Sequence, residues 1–282
     1  EIHERLVGSE MCIRDSYRNE TLTFPHGMTR PAYSSVLQPH HDYSGTAFPL
    51  NRPLSACRVR LMIKTAIFDF DGTLADTIPL CREAFRRAIR KLDGRILTDE
   101  EIERQFGPDD LGVIQKLIPG KPELHERGRE LFIHYYCKLH ADLAPAPFPG
   151  TAELLSTLRN LGIRLAMVTG KRLESAEISL QFFHLSEFFP ILETGSPEGG
   201  VKPDRIKRAL SRLNAVASEA IYIGDAPTDV DACRSVPIRI LSAGWAAEAD
   251  INGLRKKKPD FLLTRFEDLE RFFREHHENE GL

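Results

Sequence analysis

The chain has 282 residues, 38 Lys and Arg against 41 Asp and Glu, and 41% hydrophobic residues. That is enough apolar material for one or two buried cores, and it excludes global disorder. A net charge of -3 supplies no basic surplus for nucleic acid or an anionic membrane, and no apolar run approaches the roughly 18 residues of a spanning helix, so neither partner is expected.

Residues 1–61 carry Arg but no Lys, are rich in Pro and His, and show no sustained helical or strand period. They are expected to form an unstructured or artefactual leader. The stretch Val7–Ser16 resembles translated sequencing-adapter sequence, and the acidic residues fit a targeting segment poorly. Met62 is the expected natural start. The five cysteines (Cys12, Cys57, Cys81, Cys137, Cys233) are scattered and never form a C-x-x-C pair. This argues against a disulfide framework or a zinc site and fits a reducing, cytoplasmic location.

From Lys64 the chain reads KTAIFDF, a short apolar run of strand formers that ends in two aspartates and a glycine. Residues 79–143 then follow helical spacing, with Pro79 suited to a first turn and breaks at Gly94, Gly107-Pro108 and Pro119-Gly120. The Pro-rich segment Pro145–Gly150 reads as a stiff hinge. Beyond it the pattern alternates: helix 151–160, strand 163–168, helix 172–183, strand 190–194, helix 203–213, strand 219–223, helix 227–234, strand 238–241, helix 245–255, strand 260–263 and helix 266–277. Such alternation with short connections predicts an α/β fold with a doubly wound parallel sheet. Ligands of such sheets bind beyond the carboxyl ends of the strands.

Four of those ends or the loops after them carry reactive residue types: Asp69-Phe70-Asp71-Gly72-Thr73, Thr169-Gly170, Lys202-Pro203, and Gly224-Asp225 with Asp229. The set points to phosphoryl transfer. Gly72 lets the chain turn at the end of the strand, so Asp69 and Asp71 can face one pocket. Asp69 is then the expected nucleophile, forming an aspartyl phosphate, and Asp71 the acid on the leaving oxygen and later the base for water. A phosphate dianion beside Asp69 and Asp225 meets repulsion of about 4 kcal/mol per pair at about 4 Å in an effective dielectric of about 20. Mg2+ held by Asp69 and Asp225 offsets it. Lys202 is expected to supply fixed positive charge, with Lys171 as its rival for that role. Thr169 and the N–H groups ahead of the next helix suit a phosphate.

These residues resemble the four motifs of the haloacid dehalogenase-like hydrolase superfamily: DFDGTLADT (Asp69–Thr77), VTG (Val168–Gly170), VKPD (Val201–Asp204) and GDAPTD (Gly224–Asp229). The chain resembles the phosphoglycolate phosphatase-like branch. The resemblance implies a Rossmann-like core formed by residues 62–77 and 149–282, with an inserted all-helical cap over residues 78–148. It implies catalytic roles for Asp69, Asp71, Thr169 and Lys202, and phosphate contacts from Thr169, Gly170 and Lys202. Mg2+ would be held by Asp69, Asp225 and the backbone carbonyl of Asp71, with Asp229 behind the ligands. It also implies a specificity loop of the cap at Phe106-Gly107-Pro108. The expected activity is hydrolysis of a small phosphorylated metabolite. A phosphomutase and a non-catalytic phosphate-binding or partner-binding module stay open as alternatives. A dehalogenase would leave Asp71 unexplained, and a phosphonate hydrolase would need a Schiff-base lysine that no pattern singles out.

Several neighbouring residues have plainer readings. Asp76 with Thr77 is expected to cap the helix near Pro79. Arg82, Arg86, Arg87 and Arg90 read as a solvated helix face, and Asp231 as a surface partner of Arg234.

Overall fold

The computed structural model describes residues 62–277. The leader expected over residues 1–61 lies outside the described residues. Six parallel strands form one sheet: β1 (Thr65–Phe68), β2 (Arg164–Val168), β3 (Leu192–Glu193), β4 (Ala220–Gly224), β5 (Arg239–Ala243) and β6 (Phe261–Leu263), in the order β3-β2-β1-β4-β5-β6. The chain runs outward from β1 to β3, then returns to lay β4 against the other side of β1. The order therefore reverses between β1 and β4, and the crevice at their carboxyl ends is the switch point where doubly wound sheets bind ligands.

Both faces of the sheet are buried, as parallel strands require. Alternate residues of the central strands divide between two apolar cores. Ala66, Phe68, Leu165, Met167, Ile221 and Ile223 join a core with Leu154, Leu155 and Leu158 of α5 (Thr151–Asn160) and Leu269, Phe272 and Phe273 of α10 (Asp268–His276). Ile67, Ala166, Val168 and Tyr222 join the other, with Ile206, Ala209 and Leu210 of α7 (Lys202–Arg212) and Val230, Ala232 and Cys233 of α8 (Pro227–Ser235). The strand ends that carry the site are thus held between two packed layers.

Between β1 and α5 the described chain inserts α1 (Ile78–Asp93), α2 (Asp99–Glu103), α3 (Asp110–Leu117) and α4 (His125–Leu143), with a short 3-10 turn before α4. Their starts and stops follow the local chemistry. Gly94 ends α1 in the left-handed conformation, Thr98 and Glu101 form a capping box on α2, and Asp109 accepts from the Gly112 N–H at 3.0 Å to cap α3. Phe85 of α1 stacks on Phe132 of α4 with ring centroids 4.1 Å apart, so the two long helices share an apolar seam.

This insert shares an apolar cluster with the core, where the His140 ring lies 4.2 Å from that of Phe182, and polar contacts fasten it further. The Asp109 N–H donates to the Ser196 carbonyl at 2.9 Å, Arg172 donates to the Asp109 carboxylate at 3.1 Å, and the Ser175 hydroxyl donates to Asp110. Ser175 and Ser179 lie on α6 (Leu173–Phe182), and the Ser179 hydroxyl meets Tyr136 at 2.7 Å and His140 at 2.9 Å, both from α4.

One sequence expectation changes outright. The helix expected over 245–255 begins only at Ile251, as α9 (Ile251–Lys257). Asp250 takes the cap position and accepts from the Gly253 N–H at 2.8 Å, while Trp245 leaves helical conformation to donate its indole N–H to the Thr73 carbonyl at 3.1 Å. An amphipathic window does not reveal that its first residue is claimed by a loop on another strand.

Candidate active site

The first strand fixes the site. The Asp69 N–H donates to the Ile223 carbonyl at 2.8 Å, extending the β1–β4 ladder by one residue, and the Asp69 side chain is buried at the end of that ladder. Gly72 then turns the chain with φ at 67°. A Cβ there would lie 2.2 Å from the Asp225 carboxylate, so only glycine admits both the turn and the neighbour. Gly224 at the end of β4 makes room in the same way for Asp229, whose carboxylate would lie 2.3 Å from an added Cβ.

Oxygens of Asp69, Asp225 and Asp229 all lie within 4.8 Å of one another. The Lys202 ammonium sits 2.5 Å from Asp69 and 2.5 Å from Asp229. The other Asp229 oxygen accepts from the Ala226 N–H at 3.2 Å, so both oxygens of Asp229 are engaged by the protein. Burial opposes the charge on Lys202, but Asp229 and Asp69 outweigh it and hold the ammonium well above its usual range. Burial pushes the Asp225 carboxyl well up, and Asp69 and Asp229 add to the shift. Three carboxylates facing one ammonium leave unbalanced negative charge, the electrostatic setting that suits a hard divalent cation with oxygen ligands.

The second carboxylate of the β1 turn has its own cation. Asp71 accepts from the Lys171 ammonium at 3.1 Å and from the Thr77 hydroxyl. Lys171 is 3% exposed. Burial works against its charge, yet Asp71 and the neighbouring Cys81, Tyr136 and Asp110 groups hold it well above its usual range. Thr169 is buried at the end of β2, its N–H donating to the Glu193 carbonyl at 3.0 Å and its hydroxyl accepting from the Lys171 N–H at 3.3 Å. Gly170 follows it, half-buried.

The fold therefore brings Asp69, Asp71, Lys202, Asp225 and Asp229 to the switch point, with Thr169 and Gly170 at the adjacent strand end. Gly107 stands apart. It is exposed, in the loop between α2 and α3 that reaches the core through Asp109 and Ser196. The rivalry between Lys171 and Lys202 for one cationic role dissolves, because each holds a different carboxylate. Asp110 escaped the sequence reading. It is buried at the insert–core boundary, where burial pushes its carboxyl up to about 6 against the pull of Lys171. Only its place beside Asp109, just after a Gly-Pro break, hinted at a role.

Three of the plainer readings also need correcting. The Thr77 hydroxyl does not cap α1 but donates to Asp71. Arg82 is buried, not solvated, and binds Glu103 at 2.5 Å and Glu248 at 2.7 Å. Asp231 pairs with Lys257 rather than Arg234, whose guanidinium is drawn to the carbonyls of Lys257 and Lys258. For Arg82 and Asp231 the partner is one distant in sequence.

Residues 66–243 match the family model described as haloacid dehalogenase-like hydrolase. Pyrophosphatase PpaX of Listeria welshimeri is 30% identical over 210 residues, covering 73% of this chain and 94% of that protein. Among solved structures, a predicted phosphoglycolate phosphatase from Haemophilus somnus superposes with a TM-score of 0.63 at 19% identity, over 74% of this chain and 97% of that one. CbbY from Rhodobacter sphaeroides in complex with phosphate superposes with a TM-score of 0.62 at 24% identity, over 74% and 96%. At those identities the two structures speak for the fold.

Proposed function

The chain belongs to the haloacid dehalogenase-like hydrolase family and is a hydrolase of its phosphatase branch, and from that premise we propose that it hydrolyses a small phosphorylated metabolite through an aspartyl phosphate, with Mg2+ as its cofactor. The observation that carries the reading is the cluster at the switch point: a buried carboxylate at the end of β1, a second carboxylate two residues on, and an acidic group whose negative charge exceeds that of its lysine.

In this reading Asp69 attacks phosphorus as the ester oxygen departs, and Asp71 gives that oxygen its proton. Asp71 then takes a proton from the water that attacks the aspartyl phosphate, which restores both carboxyl groups. Lys202 orients Asp69 and stabilises charge on the transferred group. Thr169 and the N–H groups of the loop after it bind the phosphoryl oxygens. Asp69 and Asp225, with the carbonyl of Asp71, would hold the metal, and Asp229 would support the set through Lys202. When bound, Mg2+ supplies positive charge against the repulsion of phosphate and carboxylates. The insert acts as a cap that keeps bulk water from the aspartyl phosphate.

The test is turnover of an aryl phosphate by the parent and by Asp69→Asn, each with Mg2+ and with excess chelator. Activity is expected only in the parent with Mg2+, with a loss of at least about a thousandfold in the variant. Full activity in the variant or in chelator overturns the mechanism. A panel of pyrophosphate, 2-phosphoglycolate and sugar phosphates then ranks substrates, since the names of the similar proteins point to different ones. Product analysis separates hydrolysis from transfer back to a sugar.

A further inference from the structure

We propose that Lys171 is the positioning residue that fixes Asp71 for proton transfer, and that the helical insert completes its seat. The proposal rests on the hydrolase reading above and deepens it.

Lys171 leaves the core directly after Thr169 and Gly170 and is almost wholly removed from water. Burying an ammonium is unfavourable unless its surroundings compensate. Among the described residues its salt bridge is to Asp71 alone, 3.1 Å from one carboxylate oxygen and 3.4 Å from the other. The remaining surroundings come from the insert. The Cys81 sulfur of α1 lies 3.5 Å from the ammonium, and the Tyr136 ring of α4 faces it at 4.6 Å from the ring centroid, a distance at which an aromatic face attracts a cation. Lys171 is buried in salt-bridge contact with the carboxylate that the mechanism assigns to proton transfer, and the charge of Asp110 in the insert also acts on it.

The contacts on Asp71 are unequal. One oxygen receives both the Thr77 hydroxyl and the shorter Lys171 contact, and the second receives only the longer Lys171 contact. Two donors on one oxygen fix the rotation of the carboxyl group and leave the other oxygen as the one presented for proton exchange. In the proposed step the proton passes from that oxygen to the departing ester oxygen as the P–O bond breaks, and water later returns it. Lys171 keeps all its protons. Because Cys81 and Tyr136 belong to the insert, movement of the insert away from the core would remove the apolar side of this seat and expose the ammonium to water, which weakens its hold on Asp71. Placement of the acid and closure of the insert are then one event.

The test is a series of phosphate monoesters from nitrophenyl to simple alkyl, turned over with Mg2+ by the parent, Lys171→Met, Lys171→Arg, Asp71→Asn and the Lys171→Met/Asp71→Asn double variant. A misplaced acid hurts most where the leaving group needs a proton most. Lys171→Met is expected to lose roughly a hundredfold in kcat on alkyl esters and about tenfold or less on the nitrophenyl ester, with KM changed less than about threefold. Lys171→Arg should recover most of the loss, because it keeps the charge. In the Asp71→Asn background, Lys171→Met should cost less than about a further threefold, the non-additivity of two residues acting as a unit. Equal losses along the series, or full multiplication of the two losses, overturns the proposal. Should Lys171→Met fail to melt cooperatively, Tyr136→Leu is read in its place and should show the same leaving-group dependence in smaller measure; a flat loss there overturns the proposal equally. A parent that hydrolyses no monoester refutes the hydrolase reading itself, whereas a parent active across the series with parallel losses in the variants refutes only the role of Lys171.

Discussion

The strand-end cleft and the helical insert treat charge in opposite ways. In the cleft, Asp69, Asp225 and Asp229 crowd together, with one ammonium, that of Lys202, bound to two of them, on backbone held between two apolar layers. On α1 of the insert, three arginines are matched by carboxylates. Arg82 binds Glu103, Glu248 and Asp99, Arg86 binds Glu83 and Asp99, and Arg87 binds Glu83. Unbalanced charge on a rigid frame costs stability and is kept where a ligand will neutralise it. Matched charge on helices helps to solubilise and fasten a unit and asks for no ligand.

The contrast breaks most decisively at Asp225. Asp225→Asn should lower kcat/KM by about a hundredfold or more and raise the Mg2+ concentration needed for half activity, measured by metal titration of aryl phosphate turnover. In chelator the same variant should melt no lower than the parent, since it removes a like-charge neighbour; a lower melting temperature there would mean that the cleft is not strained by its own charge. Gly72→Ala comes next. The forced φ and the approach to Asp225 predict a loss of about 1–3 kcal/mol in urea unfolding, together with reduced activity.

The boundary between the two regions should show a pH signature of its own. Asp110 is raised from 3.8 to about 6 by burial, so the folded state binds its proton more tightly than the unfolded chain, and this group's contribution to stability falls as pH rises from about 4 to 6. His140 is lowered from 6.5 to about 4 by burial and by the charge of Lys171. The folded state binds that proton less tightly, so its contribution rises with pH from about 4 to 6.5. The two contributions oppose each other. Asp110→Asn should therefore uncover a stability that climbs with pH, and His140→Gln one that declines, both read from urea unfolding across pH 4–7. Identical profiles for parent and variants would remove both groups from the account. The smallest effect is expected on the outer face of the insert, where Arg87→Ala should alter kcat/KM by less than about twofold and stability by less than about 0.5 kcal/mol, its partner Glu83 being close by on the same helix.

Much of the core was legible because its cues are local. Strand formers ending in Asp, Gly and Thr announce both the strand and its loop, and the repeated alternation of elements leaves a parallel sheet as the economical arrangement. The insert announced its helices but not its contacts. Nothing in the spacing of Cys81, Tyr136 and Lys171 relates them, and Arg82 reads as one more arginine on a charged face until Glu248 comes to meet it from the core. The helix expected from 245 failed for the same reason, its first residue being claimed by Thr73.

The sequence by itself determined which chemical groups stand at the strand ends, because hydrophobic period and glycine turns act over a few neighbouring residues. Only the tertiary structure decided which cation serves which carboxylate. That choice depends on distances of about 3 Å between side chains a hundred or more positions apart, as between Asp71 and Lys171 or Asp69 and Lys202, and those distances exist only once both faces of the sheet are packed.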